Sequence, residues 1–207
     1  DGDLQPAFDL VAYQTDRGAI TDHPYANLQP MAGWNFDEEL GTTVVVDFPG
    51  GFDGTHNGSG AVAGGKFLNA LDFDGSGNFV SIPSSPAFNT QMLLSLSAWV
   101  RPDSVSGARG IFVRGDGANR WFFYLNDGKL VLESSNGNQG ITNSAVVPQA
   151  AWSHVAAVFN ASKPGSERIK LYVNGTEITD KTVGGAGNFV SNDTTPYIGV
   201  LLDGSGN

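Results

Sequence analysis

Trp152-Ser-His-Val-Ala-Ala-Val-Phe159, followed after a polar loop by Ile169-Lys-Leu-Tyr-Val-Asn-Gly175, reads as two β-strands and a tight turn at Asn174-Gly175. In the second run Ile169, Leu171 and Val173 fall on one face, Lys170 and Tyr172 on the other. Such period-2 alternation marks a strand with one face in a core. Asn-Gly suits a two-residue hairpin turn because both residues tolerate positive φ.

The same grammar extends outward. Leu94, Leu96, Ala98 and Val100 alternate with Ser95, Ser97, Trp99 and Arg101, which predicts another half-buried strand. Strands are also expected at Trp34–Asp37, 42–48, 111–114, 120–125, 129–133 and 195–201. Leu71-Asp-Phe73 and Phe79-Val-Ser-Ile82 flank Asp74-Gly-Ser-Gly77 and predict a hairpin. Residues 50–65 read as a long glycine-rich loop, and Asn136-Gly-Asn-Gln-Gly140 as turn chemistry. Asp-Gly-Ser-Gly-Asn occurs at 74–78 and again at 203–207; two copies are independent loops, not a solenoid period. No run of helical length carries a 3.6-residue period. About ten to twelve short strands joined by turns predict an all-β antiparallel sandwich or jelly roll.

Composition narrows the function. The 207 residues carry a net charge of −10 and no cysteine. A phosphate backbone needs a basic stripe, so nucleic acid is excluded as a partner, and an anionic membrane surface is disfavoured for the same reason. No apolar stretch is long enough to span a bilayer as a helix. Residues 1–33 read as an N-terminal arm or linker, with one strand near Phe8–Tyr13, and 34–207 as the domain. The chain begins at Asp1 rather than Met, which predicts a segment of something larger.

Several motifs in order carry a resemblance. Ala70-Leu-Asp-Phe-Asp-Gly75 with Phe79-Val-Ser-Ile-Pro83, Leu94-Ser-Leu-Ser-Ala-Trp-Val100, Trp152-Ser-His-Val-Ala156, Leu171-Tyr-Val-Asn-Gly175 and Tyr197-Ile-Gly199 resemble the successive strands of laminin G-like modules, of the concanavalin A-like jelly-roll class. The resemblance covers residues 34–207. It implies two packed antiparallel sheets and an extracellular, secreted or surface location. It implies adhesion or carbohydrate recognition through rim loops, often with bound calcium. One element is unmatched: a last strand of the type Gly-x-Ile-Asp-Glu-Val-Arg-Ile-Tyr, because the sequence stops at Asn207. Without it a sheet edge is expected to stand open: either the sequence is cut before that strand, or another segment supplies it, the 1–33 arm in the same chain or in a neighbour being a candidate.

Candidate sites follow. Calcium takes oxygen ligands, and acidic glycine-rich loops supply them; Asp37, Asp47, Asp53 and Asp74 are the candidates. The competing reading is that each Asp caps its own turn. Trp121, Tyr124 and Tyr172 are candidates for stacking on sugar rings, against core or second-face packing. Alternation across Arg120-Trp-Phe-Phe-Tyr124 separates Trp121 and Phe123 from Phe122 and Tyr124, and one pair should be less buried. Arg114-Gly-Asp116 spells an adhesion tripeptide that a simple turn explains. Four N-x-S/T sequons, at Asn57, Asn160, Asn174 and Asn192, would matter only on a eukaryotic secretory path.

Catalysis has little to stand on. His154 is expected to pack near Trp152; His23 and His56 complete the histidines. No Gly-x-Ser-x-Gly elbow is present. Asp37-Glu-Glu39 are adjacent and point to alternate faces, so they do not make the paired carboxylates of a glycosidase. The sequence therefore predicts a non-catalytic binding module. The alternatives are an assembly subunit of a surface filament or adhesin, completed by strand exchange, and a polysaccharide-active enzyme.

Overall fold

The computed structural model describes residues 30–38, 41–48, 51–58, 62–74, 77–89, 91–116, 119–189 and 194–201. The strand expected near Phe8–Tyr13 and the second Asp-Gly-Ser-Gly-Asn copy lie outside them.

Alternating sequences form alternating strands. A nine-stranded antiparallel sheet runs β1 (Val44–Val45), β2 (Gly54–Asn57), β5 (Phe79–Ser81), β15 (Pro196–Ile198), β7 (Ala108–Asp116), β8 (Asn119–Asn126), β9 (Lys129–Ser134), β10 (Gln139–Thr142) and β14 (Lys181–Gly184). A four-stranded sheet runs β13 (Thr176–Glu177), β12 (Ile169–Val173), β11 (Ser153–Asn160) and β6 (Leu93–Val100). A small ribbon pairs β3 (Val62–Gly64) with β4 (Asn69–Leu71). The two large sheets face one another, as the jelly-roll expectation required.

Between them lies one core. Phe123, Leu125, Leu130 and Leu132 of the long sheet meet Val155, Ala157, Phe159, Ile169 and Leu171 of the short one. Trp34 stacks on Phe112 with ring centroids 6.1 Å apart, and Phe36 packs edge-on to Phe73. The segment from Trp34 onward thus belongs to this core.

Two hairpins set the register. Asn174 and Gly175 have φ of 49° and 79°, and Asp127 and Gly128 have 50° and 74°. Positive φ at both central residues matches the right-handed strand twist. The turns therefore lock Val173 opposite Thr176 and Asn126 opposite Lys129.

Some local expectations change. Leu71 and Phe79 do not form a hairpin: β4 pairs with β3, whereas β5 pairs with β2 and β15. β4 and β5 lie in different sheets, so neither folds onto the other. The glycine-rich stretch 50–65 contains β2 and β3, and Gln139–Thr142 is a strand rather than the end of a turn. Trp34 makes only an isolated bridge, to Asp47.

Candidate functional site

The outward face of the long sheet is built by register. The Asp127-Gly128 hairpin puts Phe122 opposite Glu133 and Tyr124 opposite Val131. The next pairing puts Gln139 opposite Glu133. Phe122, Glu133 and Gln139 therefore form one row across three strands, all pointing away from the core. At the strand ends, Ser135 and Gly137 complete a shallow depression of about 330 Å³ with Arg120, Phe122, Glu133, Ser134 and Gln139.

Its interior is polar and ordered by contacts. Gln139 Nε2 donates to Glu133 Oε2 at 2.8 Å. The Arg120 guanidinium lies over the Phe122 ring at 5.1 Å, and Phe122 meets Tyr124 edge-on at 6.4 Å. The Tyr124 hydroxyl donates to the Glu133 carboxylate. Burial first, and then the Glu133 charge and that hydrogen bond, hold the Tyr124 proton well above the ordinary tyrosine range.

This has a pH consequence. A phenol whose folded pKa is raised keeps its stabilising contribution below the unfolded value, about 10, and loses it as pH rises toward the folded value. Denaturant unfolding at pH 9 and pH 11 should therefore show a loss of stability that is smaller in Tyr124→Phe. Equal losses in the two proteins would contradict the coupling.

The aromatic candidates separate by face. Tyr124 is half-buried on the outward face. Trp121 is 2% exposed and stacks on Phe112 at 5.5 Å. Trp121 is thus a core residue and not a stacking platform, because β8 alternation turns it inward with Phe123. Tyr172 is 8% exposed, opposite Glu177, which Lys170 and Lys181 hold at 3.5 and 3.2 Å. Its ring packs on the short sheet, away from the depression, so Tyr172 is not part of that surface. The less buried pair is Phe122 and Tyr124.

The carboxylate candidates serve the backbone. Asp47 is buried; its Oδ1 accepts from Gly33 N at 2.7 Å and its Oδ2 from Phe52 N at 3.1 Å. Asp53 Oδ1 accepts from Asp47 N at 2.9 Å. Asp37 accepts from Asn69 N and from Asn35 Nδ2. Asp74 is exposed. Among the described residues no three His, Asp or Glu side chains are grouped as an ion would require. The donor set does not assemble a calcium centre from these four residues.

The remaining motifs fall into place. Arg114 of the adhesion tripeptide lies within β7, not in a turn, and is 1% exposed. Its guanidinium donates to the Phe88 and Ser85 carbonyls. His154 packs on Trp99, its cross-strand partner, at 5.3 Å, while Trp152 lies under Arg101. His56 is buried in β2. His23 lies outside the described residues.

Sequence reasoning missed Arg120, Glu133 and Gln139 as a group. The signal was available for two of them. Once Asp127-Gly128 is read as a two-residue turn, counting back places Phe122 opposite Glu133. Gln139 was hidden because its strand looked like a turn.

Comparison with known proteins supports this architecture. The laminin G-like family model described as the concanavalin A-like lectin/glucanases superfamily matches residues 74–206. No curated protein matches the sequence. Among solved structures, the receptor binding domain of botulinum neurotoxin C/D mosaic serotype is similar at 17% identity and a TM-score of 0.55, over 78% of this chain and 41% of that one. The binding domain of Paraclostridial Mosquitocidal Protein 1 is similar at 15% identity and a TM-score of 0.57, over 84% and 49%. The chain spans less than half the length of the structures it matches. At these identities the likeness is one of fold. With two facing antiparallel sheets and a family match over residues 74–206, the chain belongs to the laminin G-like family of the concanavalin A-like lectin/glucanase superfamily.

Proposed function

We propose that this chain is a non-catalytic, carbohydrate-binding module of a larger secreted or surface protein. The observation that carries the reading is the depression at the end of β8–β10. It combines the rim of the largely buried Phe122 ring with Arg120, Glu133 and Gln139, and the half-exposed Tyr124 stands beside it, edge-on to Phe122. Sugars present weakly apolar C–H faces and hydroxyl rims, and this pairing of ring and polar groups answers both. A small number of placed polar groups against an aromatic surface is the usual construction of a ligand site.

Two points favour binding over hydrolysis. Among the described residues Glu133 is the single carboxylate lining the depression, whereas glycoside hydrolysis uses two flanking the bond. The similar toxin structures are receptor-binding or binding domains of longer proteins, which supports a module that attaches.

A glycan array in calcium and in EDTA tests the reading. Binding to at least one glycan class is expected. Tyr124→Ala and Arg120→Ala should each weaken it about tenfold, equivalent to ~1.4 kcal/mol. Absence of binding to every glycan in calcium would sink the proposal. Binding that both variants retain would move the site elsewhere. Loss in EDTA would bring calcium back as a ligand of residues outside the described set.

A further inference from the structure

Among the described residues, β6 ends the four-stranded sheet, with only one side paired, to β11, along all eight residues. The other ends of the two large sheets are short: β1 and β13 have two residues each and β14 has four. Short or charged edges resist strand addition. From Leu93 to Val100 β6 carries no proline and no charge.

The core shows what β6 lacks. Its core-facing Leu94, Leu96, Ala98 and Val100 are all partly exposed. Beside them on the same face, Val155, Ala157 and Phe159 of β11 are fully buried. Met92 and Leu93, at the same margin, are 55% and 63% exposed. One strand laid along β6 would pair its free backbone groups and close that flank of the core.

We propose that residues 8–13 of the same chain, Phe-Asp-Leu-Val-Ala-Tyr, form this strand. Alternation places Phe8, Leu10 and Ala12 on one face, suited to the open flank, and Asp9, Val11 and Tyr13 on the other. The tether is long enough. The 16 residues between Tyr13 and Pro30 reach roughly 50 Å when extended, more than the width of a domain of this size. Charge agrees. Asp1, Asp3 and Asp9 bring three acidic groups and no basic one through Tyr13, and the acceptor end offers Arg101 and Lys66, the latter over Trp99 at 5.0 Å. A donor in the same chain also acts at high effective concentration. The edge would thus join the domain to whatever precedes it, independently of the carbohydrate reading.

Amide hydrogen exchange on the full 207-residue chain tests this. Along β6, backbone N–H groups point alternately toward β11 and away. The outward ones should exchange slowly in the intact protein. Leu10→Pro and Val11→Pro remove N–H donors on opposite edges of the added strand, so one of them takes out a ladder bond to β6. That variant should speed the outward β6 amides tenfold or more and leave those of β12 unchanged. Unprotected outward amides in the intact chain, or protection that survives both prolines, would overturn the proposal. Light scattering separates the source: protection confined to a dimer would overturn the same-chain assignment and give the strand to a second copy.

Discussion

Phe159→Ala is expected to lower the unfolding free energy by about 3–5 kcal/mol, the range for emptying a fully buried aromatic site. Phe159 is fully buried near the C-terminal end of β11. Its ring stacks on Phe189 with centroids 4.0 Å apart and 14° between planes. Truncation removes the transfer energy of the ring and leaves a void. The void cannot collapse easily, because Ile169 on the adjacent strand and Leu94 on the other are fixed by backbone pairing. Urea denaturation should show the midpoint fall with the slope unchanged. In a domain of this size about 2–4 °C of melting temperature accompanies each kcal/mol, so the thermal midpoint should drop by roughly 10 °C. A loss below ~1 kcal/mol would mean that Phe159 is not part of a tight core.

Arg168→Ala should cost about as much, roughly 3 kcal/mol, for a different reason. Arg168 is a buried cation that links three separate segments. Its guanidinium donates to the Ala161 carbonyl at 2.9 Å, to Asn138 Oδ1 at 3.1 Å and to the Gly187 carbonyl. It also lies over the Phe159 ring at 5.4 Å. Asn138 is fully buried, and its amide donates in turn to the Ala186 and Asn188 carbonyls. Removing Arg168 would strand acceptors where water cannot reach them all, and each orphaned group costs about 1–3 kcal/mol. Arg168→Lys should rescue little, since one ammonium cannot reproduce a planar fork. Because Arg168 and Phe159 touch, the double substitution should cost less than the sum of the two single ones. Additivity in that cycle, measured by urea unfolding, would disprove the coupling.

The strands most legible from sequence were those with clear alternation. β6, β8, β9, β11 and β12 lie within a few residues of their expected places. The less legible ones were short and glycine-bearing. Gly140 shows why. It reads as the end of a turn, yet it sits in β10, paired with Leu132 and Val183. A Cβ there would come within 2.4 Å of the Ile169 side chain on the facing sheet. Glycine at that position is a packing requirement between sheets, invisible without knowing what lies opposite. The candidate site behaved similarly. Alternation divided Arg120–Tyr124 into two faces but could not say which face met the core. Trp121, one of the three aromatic candidates, turned inward.

Local sequence by itself determined the class of fold, because strand alternation and positive-φ turns are properties of neighbouring residues. It also determined hairpin register at Asn174-Gly175, because a two-residue turn fixes pairing on both sides. Tertiary structure alone decided three things: that Phe122 and Tyr124 rather than Trp121 and Tyr172 lie on the outward face of the long sheet, that Asp37, Asp47 and Asp53 accept from the backbone, and that among the described residues β6 is a long open edge. These depend on which sheet covers which face and on contacts between residues distant in sequence. No local period encodes them; they arise only when the two sheets close on one another.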